Sequence, residues 1–127
     1  MTYNEITTVI IGAALEIHRE LGPGLLESVY QAVLVHELRK RGLRVATEVP
    51  IPVKWGEIQL EVGFRADLIV EDKVIVELKS VEKAAPVFEK QLLTYLRVAD
   101  KRLGLLINFG EAMLKDGITR VVNRLEE

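Results

Sequence analysis

The sequence contains no cysteine and only two histidines, and both shortages exclude kinds of site. A chain without cysteine has no disulfide, no thiolate nucleophile, no zinc–thiolate site and no iron–sulfur cluster. The two histidines, His18 and His36, lack the short helical spacing of a zinc-binding pair. Any metal ion must therefore be bound by oxygen or imidazole ligands.

Long hydrophobic runs and an excess of positive charge are also missing. No apolar run approaches the ~20 residues that span a bilayer, and the first residues, MTYNEITTVIIG, show neither a cationic region nor an obvious cleavage site. We therefore expect a cytoplasmic protein with no membrane segment.

The 17 Lys and Arg against 19 Asp and Glu give a net charge of -2. This charge argues against a protein that coats nucleic acid, because non-specific affinity comes from cations that neutralise phosphates.

What is present is the composition of an ordinary globular domain. The chain has 127 residues, of which 49% are hydrophobic and 28% charged, and this is enough for a self-sufficient core. It contains no internal repeat, no low-complexity segment and no linker that would separate two units. We predict a single domain over residues 1–127.

Hydrophobic residues at helical spacing predict two helices in the first third of the chain. The first covers residues 4–20, and the second starts at Gly24 or Leu25 and ends before Gly42, a residue type that favours helix ends. The residues that the second helix should bury are Leu26, Val29, Tyr30, Val33, Leu34 and Leu38.

From residue 44 the hydrophobic period changes to two, which predicts strands over residues 44–55, 58–70 and 73–80. The first of these strands contains Pro50 and Pro52. Because proline has no N–H group to donate to a neighbouring strand, this strand is expected at the edge of the sheet.

Another helix and another strand follow. Pro86 opens a helix over residues 87–100, and residues 102–109 form a short, wholly apolar strand. Residues 117–125 fit either a strand or a helix. The order α-α-β-β-β-α-β predicts an α/β fold with a mixed sheet packed between helices.

Charged residues interrupt the strand VIVELKS, residues 74–80, where Glu77 and Lys79 lie on one face. If residues 71–73 form the turn before this strand, Asp67 on the preceding strand lies directly opposite Glu77. A two-residue turn would shift the register by one and move Asp67 to the other face. The pairing of the two carboxylates therefore depends on the turn.

Two buried carboxylates repel and raise each other's pKa, so their charge must be compensated. One interpretation is a structural salt bridge from Lys79 to Asp67 or Glu77. The other is a Mg²⁺ or Mn²⁺ ion bound by Asp67 and Glu77, with waters and a substrate phosphate as its remaining ligands. Such an ion would polarise a phosphoryl oxygen and lower the pKa of a water, while Lys79 orients that water or stabilises negative charge.

The arrangement of Asp67 and Glu77-Leu78-Lys79 resembles the motif of the PD-(D/E)xK nuclease superfamily, whose core has the same helix, three strands, helix, strand order. The proline of that motif is replaced by Ala66 here. The resemblance implies a restriction-endonuclease-like fold and a metal-dependent nuclease in which Asp67 and Glu77 bind the metal and Lys79 positions the attacking water.

Two further elements resemble branches of this superfamily. Gln91 and Tyr95, four residues apart on one helix face, resemble the QxxxY element of RecB-like members. This likeness implies that both side chains support the site and contact the nucleic-acid backbone.

The stretch from Gly24 to Tyr30, GLLESVY, resembles the signature of the compact GxxExxY family, and the segments FRADLIV, VIVELKS, QLLTY and LLINFG extend the likeness over nearly the whole chain. It implies that Glu27 points towards the metal site, although the helix dipole alone also favours a Glu in a first helical turn.

The function expected from the sequence is hydrolysis of DNA or RNA phosphodiester bonds by a Mg²⁺- or Mn²⁺-dependent enzyme. The catalytic residues would be Glu27, Asp67, Glu77, Lys79, Gln91 and Tyr95, of which Asp67 and Glu77 bind the metal. Two alternatives stay open: a non-catalytic nucleic-acid-binding or assembly module that keeps the nuclease fold, and a purely structural cluster of charges. A small domain with net negative charge has little surface to grip a duplex, so a homodimer, a partner subunit or a single-stranded substrate is expected.

Overall fold

The chain folds in the order predicted from the sequence, as a computed structural model of residues 1–126 describes it. The helices are α1 (Tyr3–Leu21), α2 (Glu27–Lys40) and α3 (Pro86–Ala99), and the strands are β1 (Val45–Trp55), β2 (Ile58–Val70), β3 (Val74–Lys79), β4 (Leu103–Asn108) and β5 (Ile118–Val122). A 3₁₀ helix, Leu114–Gly117, precedes β5. The segment that fitted either a strand or a helix is therefore a strand.

The five strands form one mixed sheet in the order β1-β2-β3-β4-β5. Neighbouring strands are antiparallel except β3 and β4, which run parallel because α3 carries the chain back between them. The prolines of β1 correctly indicated an edge strand. β3 and β4 lie inside the sheet and are buried along almost their whole length, which explains their apolar sequences. The predicted α/β class, a mixed sheet flanked by helices as in restriction-endonuclease-like folds, is confirmed.

Helices cover both faces of the sheet and create two hydrophobic cores. α1 and α2 pack on one face, and α3 packs on the other. The even-numbered residues of β3 belong to the first core and Ile75 to the second. Period-two alternation therefore places Glu77 and Lys79 on the side of α3. None of the described helices has the length and hydrophobicity that a membrane crossing requires.

α2 begins at Glu27, later than the predicted Gly24 or Leu25. The prediction was wrong because Gly24 has a φ of +104°, outside the helical region, and the chain is still extended at Leu26. As a consequence Leu26 and Val29, which were expected to be buried, are exposed. The helix buries Tyr30, Leu34, Val35 and Leu38 and half-buries Val33.

Asn108, the last residue of β4, fixes the loop that follows β3. Its fully buried side chain accepts hydrogen bonds from Val81 N and Gly110 N, both at 3.0 Å, and donates one to Val81 O at 2.9 Å. Gly110 is needed beside it, because a Cβ atom there would lie 2.1 Å from Val81 O. The chain segment that leaves the charged end of β3 is thereby held against the end of β4.

We expect Asn108→Ala to lower the free energy of unfolding by about 2 kcal/mol, because three hydrogen bonds of a buried amide are lost together. Urea-induced unfolding measures this difference. Asn123→Ala is the matched control, since the half-buried Asn123 side chain donates a hydrogen bond to Lys101 O. A loss for Asn108→Ala that does not exceed the loss for the control would contradict this role.

Candidate active site

Asp67 and Glu77 face each other across β2 and β3. The register pairs Val70 with Val74, so the turn between the strands contains three residues, and continuing the pairing places Asp67 opposite Glu77. Glu77 Oε1 accepts a hydrogen bond from Asp67 N at 3.2 Å, and Asp67 Oδ2 accepts one from Leu78 N at 2.8 Å. The register expected from a three-residue turn is confirmed.

Burial and mutual repulsion change the acidity of this pair. Glu77 is only 8% exposed, and burial together with the charge of Asp67 raises the pKa of Glu77 to about 8. Burial, and to a smaller extent the charge of Glu48, also raises the pKa of Asp67. The two carboxyl groups share a side-chain hydrogen bond. In the absence of a cation, the pair therefore retains a proton at neutral pH.

Lys79 lies on the same face of β3 as Glu77 but forms no salt bridge with the pair. Its ammonium group lies 4.4 Å from the ring centre of Phe88 on α3. Among residues 1–126, none of the ion pairs within 4 Å joins Lys79 to Asp67 or Glu77. Its positive charge nevertheless lowers the pKa of both carboxyl groups against the larger effect of burial. The interpretation as an ordinary cross-strand salt bridge does not describe this geometry.

Tyr95 and Gln91 lie on one face of α3, on the side of the sheet where Glu77 lies. The half-buried Tyr95 ring stacks on Phe64 with 4.0 Å between ring centres. Burial, followed by the charges of Glu77 and Asp67, raises the pKa of Tyr95, so its hydroxyl stays protonated. Gln91 is exposed one turn earlier on the helix. Tyr95 is thus within electrostatic range of the two carboxylates.

Glu27 reaches the same neighbourhood from the first residue of α2. Although its side chain has solvent access, burial raises its pKa, Lys79 lowers it, and Asp67 and Glu48 raise it further. These interactions mean that the N-terminus of α2 lies near the charged end of β3. Whether Glu27 takes part in the chemistry of the two carboxylates stays a prediction.

The position of Glu27 depends on the loop before α2, which Tyr30 and Ser80 hold in place. The Tyr30 hydroxyl donates to Gly22 O at 2.5 Å and accepts from Leu25 N at 3.2 Å. Ser80, the residue after β3, donates to Leu25 O at 2.6 Å. The Tyr30 ring stacks on Phe109 with 4.4 Å between ring centres. Glu27 and Tyr30 lie three residues apart on α2. The Tyr30 hydroxyl holds the loop that precedes Glu27.

Glu48 on β1 belongs to the same neighbourhood and was not identified from the sequence. The β1–β2 register continues on both sides of it and places it level with Asp67. Its φ of +49° is rare for a residue other than glycine, and its Oε1 accepts a hydrogen bond from Gln31 at 3.0 Å. Counting residues along both strand pairs, β1–β2 and β2–β3, would have placed Glu48 beside Asp67. The positive φ of Glu48 could not be predicted from the sequence.

Neither histidine is among the residues that surround Asp67 and Glu77 in the preceding paragraphs. His18 is buried near the end of α1, and its Nε2 lies 2.8 Å from Glu111 O, which ties this helix to the segment after β4. His36 is exposed on α2. His18 therefore has a structural contact between α1 and the segment after β4.

The paired carboxylates fit a divalent cation that prefers oxygen ligands. Mg²⁺ commonly binds one or two carboxylates and completes its coordination with waters and phosphate. Asp67 and Glu77 are already adjacent, and a cation would replace the proton that they retain. Within residues 1–126, no three Asp, Glu or His side chains come together as a ligand group for one ion. Glu27 and Glu48 therefore act on this pair through their charge in the arrangement seen here.

We expect the metal-free protein to lose stability as the pH rises from about 5 to about 8, because folded Glu77 retains a proton that the unfolded chain has released. Glu77→Gln removes this titration. The variant should therefore melt several degrees above the parent protein at about pH 8.5 and close to it at about pH 4.5.

Thermal melts in EDTA over this pH range measure the difference. Glu57→Gln, in the exposed turn between β1 and β2, is the matched control and should follow the parent profile. Parallel profiles for the parent protein and Glu77→Gln would show that Glu77 does not retain a proton.

We expect Tyr30→Phe to loosen the loop between α1 and α2 while the stack on Phe109 persists. Losing the two hydrogen bonds of this hydroxyl should cost about 1–2 kcal/mol of unfolding free energy. The amide of Leu25 should exchange with solvent faster, which hydrogen-exchange NMR detects. Tyr3→Phe is the control, because the Tyr3 ring keeps its contact with Lys73. Unchanged exchange at Leu25 would contradict the role of the hydroxyl.

Comparison of the sequence with known protein families identifies the family of this chain. Residues 4–121 match the family model PDDEXK_3, described as PD-(D/E)XK nuclease superfamily. No curated protein and no solved structure matches the sequence significantly. The matched segment contains Asp67, Glu77 and Lys79 and covers nearly the whole chain, so the protein belongs to the PD-(D/E)XK nuclease superfamily.

Proposed function

We propose that this chain is a Mg²⁺- or Mn²⁺-dependent phosphodiesterase that hydrolyses nucleic acid. The observation that carries the proposal is the Asp67–Glu77 pair, two largely buried carboxyl groups on adjacent strands, with the pKa of Glu77 raised to about 8. Apolar residues in place of a buried charged cluster are often neutral or stabilising. Burying two adjacent carboxyl groups is therefore a costly way to stabilise a fold, and a bound cation would relieve their repulsion.

Asp67 and Glu77 would hold the cation, with the carbonyl oxygen of Leu78 as a further ligand. When bound, the cation would polarise a phosphoryl oxygen of the substrate and make an attacking water more acidic. The carboxylates bind it as anions, so the pair must first lose its proton. Metal affinity should accordingly rise with pH up to about 8.

Lys79 would orient the attacking water and stabilise negative charge on the phosphate. Its ammonium group is held over the Phe88 ring in a partly buried position, where a charge acts more strongly than in bulk water. Glu27 would assist from the other side by accepting a hydrogen bond or a proton from that water. Its raised pKa favours such a role, because a more basic carboxylate accepts a proton more readily.

Tyr95 and Gln91 would support the site and contact the scissile phosphate. The Tyr95 hydroxyl remains a donor because its pKa is raised, and the stack on Phe64 restricts the ring. Gln91, exposed one turn away, can donate its amide N–H to a phosphate oxygen. Both side chains would therefore bind the substrate backbone without reading the base sequence.

The reaction would be direct in-line hydrolysis. The water oxygen forms a bond to phosphorus as the bond to the leaving sugar oxygen breaks. The proton of the water passes to a base such as Glu27, and the leaving oxygen takes up a proton from a solvent water. No covalent bond to the protein forms, as the superfamily resemblance implies.

Assignment to the GxxExxY branch is supported by Gly24, with its φ of +104°, and by the hydrogen bonds of Tyr30.

The proposal predicts metal-dependent cleavage that requires Lys79. Labelled single- and double-stranded DNA and RNA are incubated with the protein in Mg²⁺, Mn²⁺ or EDTA. We expect Lys79→Ala to reduce cleavage by at least about a hundredfold, as is typical when a group that stabilises transition-state charge is removed. Lys73→Ala is a matched control, because the Lys73 ammonium also lies over an aromatic ring, that of Tyr3.

The metal site is measured separately by calorimetry on the parent protein, Asp67→Asn and Glu77→Gln. Metal binding that needs both carboxylates, without cleavage of any substrate, would favour the alternative of a non-catalytic nucleic-acid-binding or assembly module. Absence of both metal binding and cleavage would leave the pair as a structural feature and refute the proposal.

A further inference from the structure

Glu48 lies at an irregular level of the β1–β2 hairpin, beside the candidate site. On β2, Ala66 packs in the core under α3, whereas Leu68 packs in the core under α1 and α2. Residues two apart on a regular strand share a face, so β2 is irregular between them, at Asp67. The strand pairing on either side places Glu48 level with Asp67. The two acidic residues therefore share the level at which the hairpin departs from regular alternation.

The backbone of Glu48 is strained. Its φ of +49° lies in the left-handed region, although the residue stands inside a strand whose pairing continues on both sides. Crowding of the Cβ atom disfavours this conformation for a residue with a side chain, whereas glycine adopts it without that cost. Backbone strain of this kind concentrates at functional sites. The strain thus indicates that the Glu48 side chain has a role at this level of the hairpin.

A hydrogen bond from α2 fixes the side chain of Glu48. Its Oε1 accepts this bond from Gln31 Nε2 at 3.0 Å. Gln31 lies four residues after Glu27 on α2, so the side chains of these two residues share one face of the helix. The bond therefore directs the Glu48 carboxylate to the helix face from which Glu27 approaches the site.

The charge of Glu48 acts on the neighbouring acids. Burial raises the pKa of Asp67 and of Glu27 most, and the charge of Glu48 raises both further. The same field attracts a cation. By Coulomb's law, a divalent ion at a given place near Glu48 feels an attraction about twice as large as the repulsion that one carboxylate charge would feel there.

We propose that Glu48 is a positioning residue of the cation site, whose negative charge strengthens the binding of a divalent cation by Asp67 and Glu77 without ligating it. This inference rests on the proposed function, because it assumes that the pair binds a cation. The Gln31 bond and the backbone hold the charge at the level of Asp67. Since Glu48 takes up no coordination position, waters and a substrate phosphate can complete the shell of the ion.

Calorimetric titration of the full chain with Mg²⁺ at about pH 9 tests the proposal. The pair has largely lost its proton at this pH, so the measured change reports attraction of the cation and not competition with protons. Glu48→Gln keeps an acceptor for Gln31 but loses the charge, and we expect about three- to tenfold weaker Mg²⁺ binding. Raising the salt concentration from about 0.05 M to about 0.5 M should reduce this difference, because salt screens an exposed charge.

Two further variants separate the charge of Glu48 from its shape. Glu48→Asp keeps the charge on a shorter side chain and should bind Mg²⁺ within about threefold of the parent protein. Glu61→Gln is the matched control, because it removes the same charge from an exposed position roughly 20 Å along β2 from Asp67. It should bind Mg²⁺ like the parent protein. Cooperative thermal melting in EDTA verifies that each variant is folded.

The outcomes distinguish this inference from the proposed function. Equal Mg²⁺ affinity of the parent protein and Glu48→Gln would refute the role of Glu48 and leave the cation site intact. A loss for Glu48→Asp as large as the loss for Glu48→Gln would assign the effect to the shape of the side chain and overturn the role of the charge. A parent protein that binds no Mg²⁺ would refute the cation site and this inference together.

Discussion

The juxtaposition of Asp67 and Glu77 is the constraint on which the rest of the site depends. Each carboxylate accepts a backbone hydrogen bond from the opposite strand, so neither can move away without leaving an amide unpaired. These side-chain hydrogen bonds fix the pair just beyond the end of the β2–β3 backbone ladder, whose last pair is Leu68 and Val76. Its repulsion has to be relieved by a proton or by a cation, and the raised pKa of Glu77 shows which of these acts when no cation is bound. If the pair binds a cation as proposed, relief of this repulsion would contribute to the affinity.

The surrounding elements bring other groups to this fixed pair. Asn108 ties the loop after β3 to the end of β4, and Ser80 ties the same loop to the segment before α2. The Tyr30 hydroxyl bonds the backbone of that segment at Gly22 and Leu25. The hydrogen bonds of Ser80 and Tyr30 therefore both fix the segment that leads to Glu27. On the other face of the sheet, α3 brings Phe88 against Lys79 and Tyr95 near the carboxylates. The site is built on strands and helix ends, with the loops held by side chains.

The sequence predicted the features that follow from local periodicity. Element order, the edge position of β1 and the three-residue turn that pairs Asp67 with Glu77 all depend on short-range patterns. It failed at the start of α2, because apolar Leu25 and Leu26 continue a helical pattern that the conformation of Gly24 interrupts. Glu48 was missed because its proximity to Asp67 requires a second register and a positive φ, which no spacing encodes. The reach of the β1–β2 hairpin beyond β3 follows from the unequal lengths of the two pairings and appears only in the structure.

The balance of charge around the site bears on how a nucleic acid would bind. The pKa values of Glu27, Asp67 and Glu77 are all raised, partly by one another or by Glu48, while Lys79 is the cation that lowers each of them. A phosphate approaching these four acids meets net repulsion as soon as they ionise. A divalent cation reverses the sign of the field at the place where the phosphate must lie. Under the proposed function, metal binding and substrate binding would therefore be coupled, and each would strengthen the other by the same factor. If the proposed nuclease activity is correct, the cation would be required first to hold the substrate and only then to assist its hydrolysis.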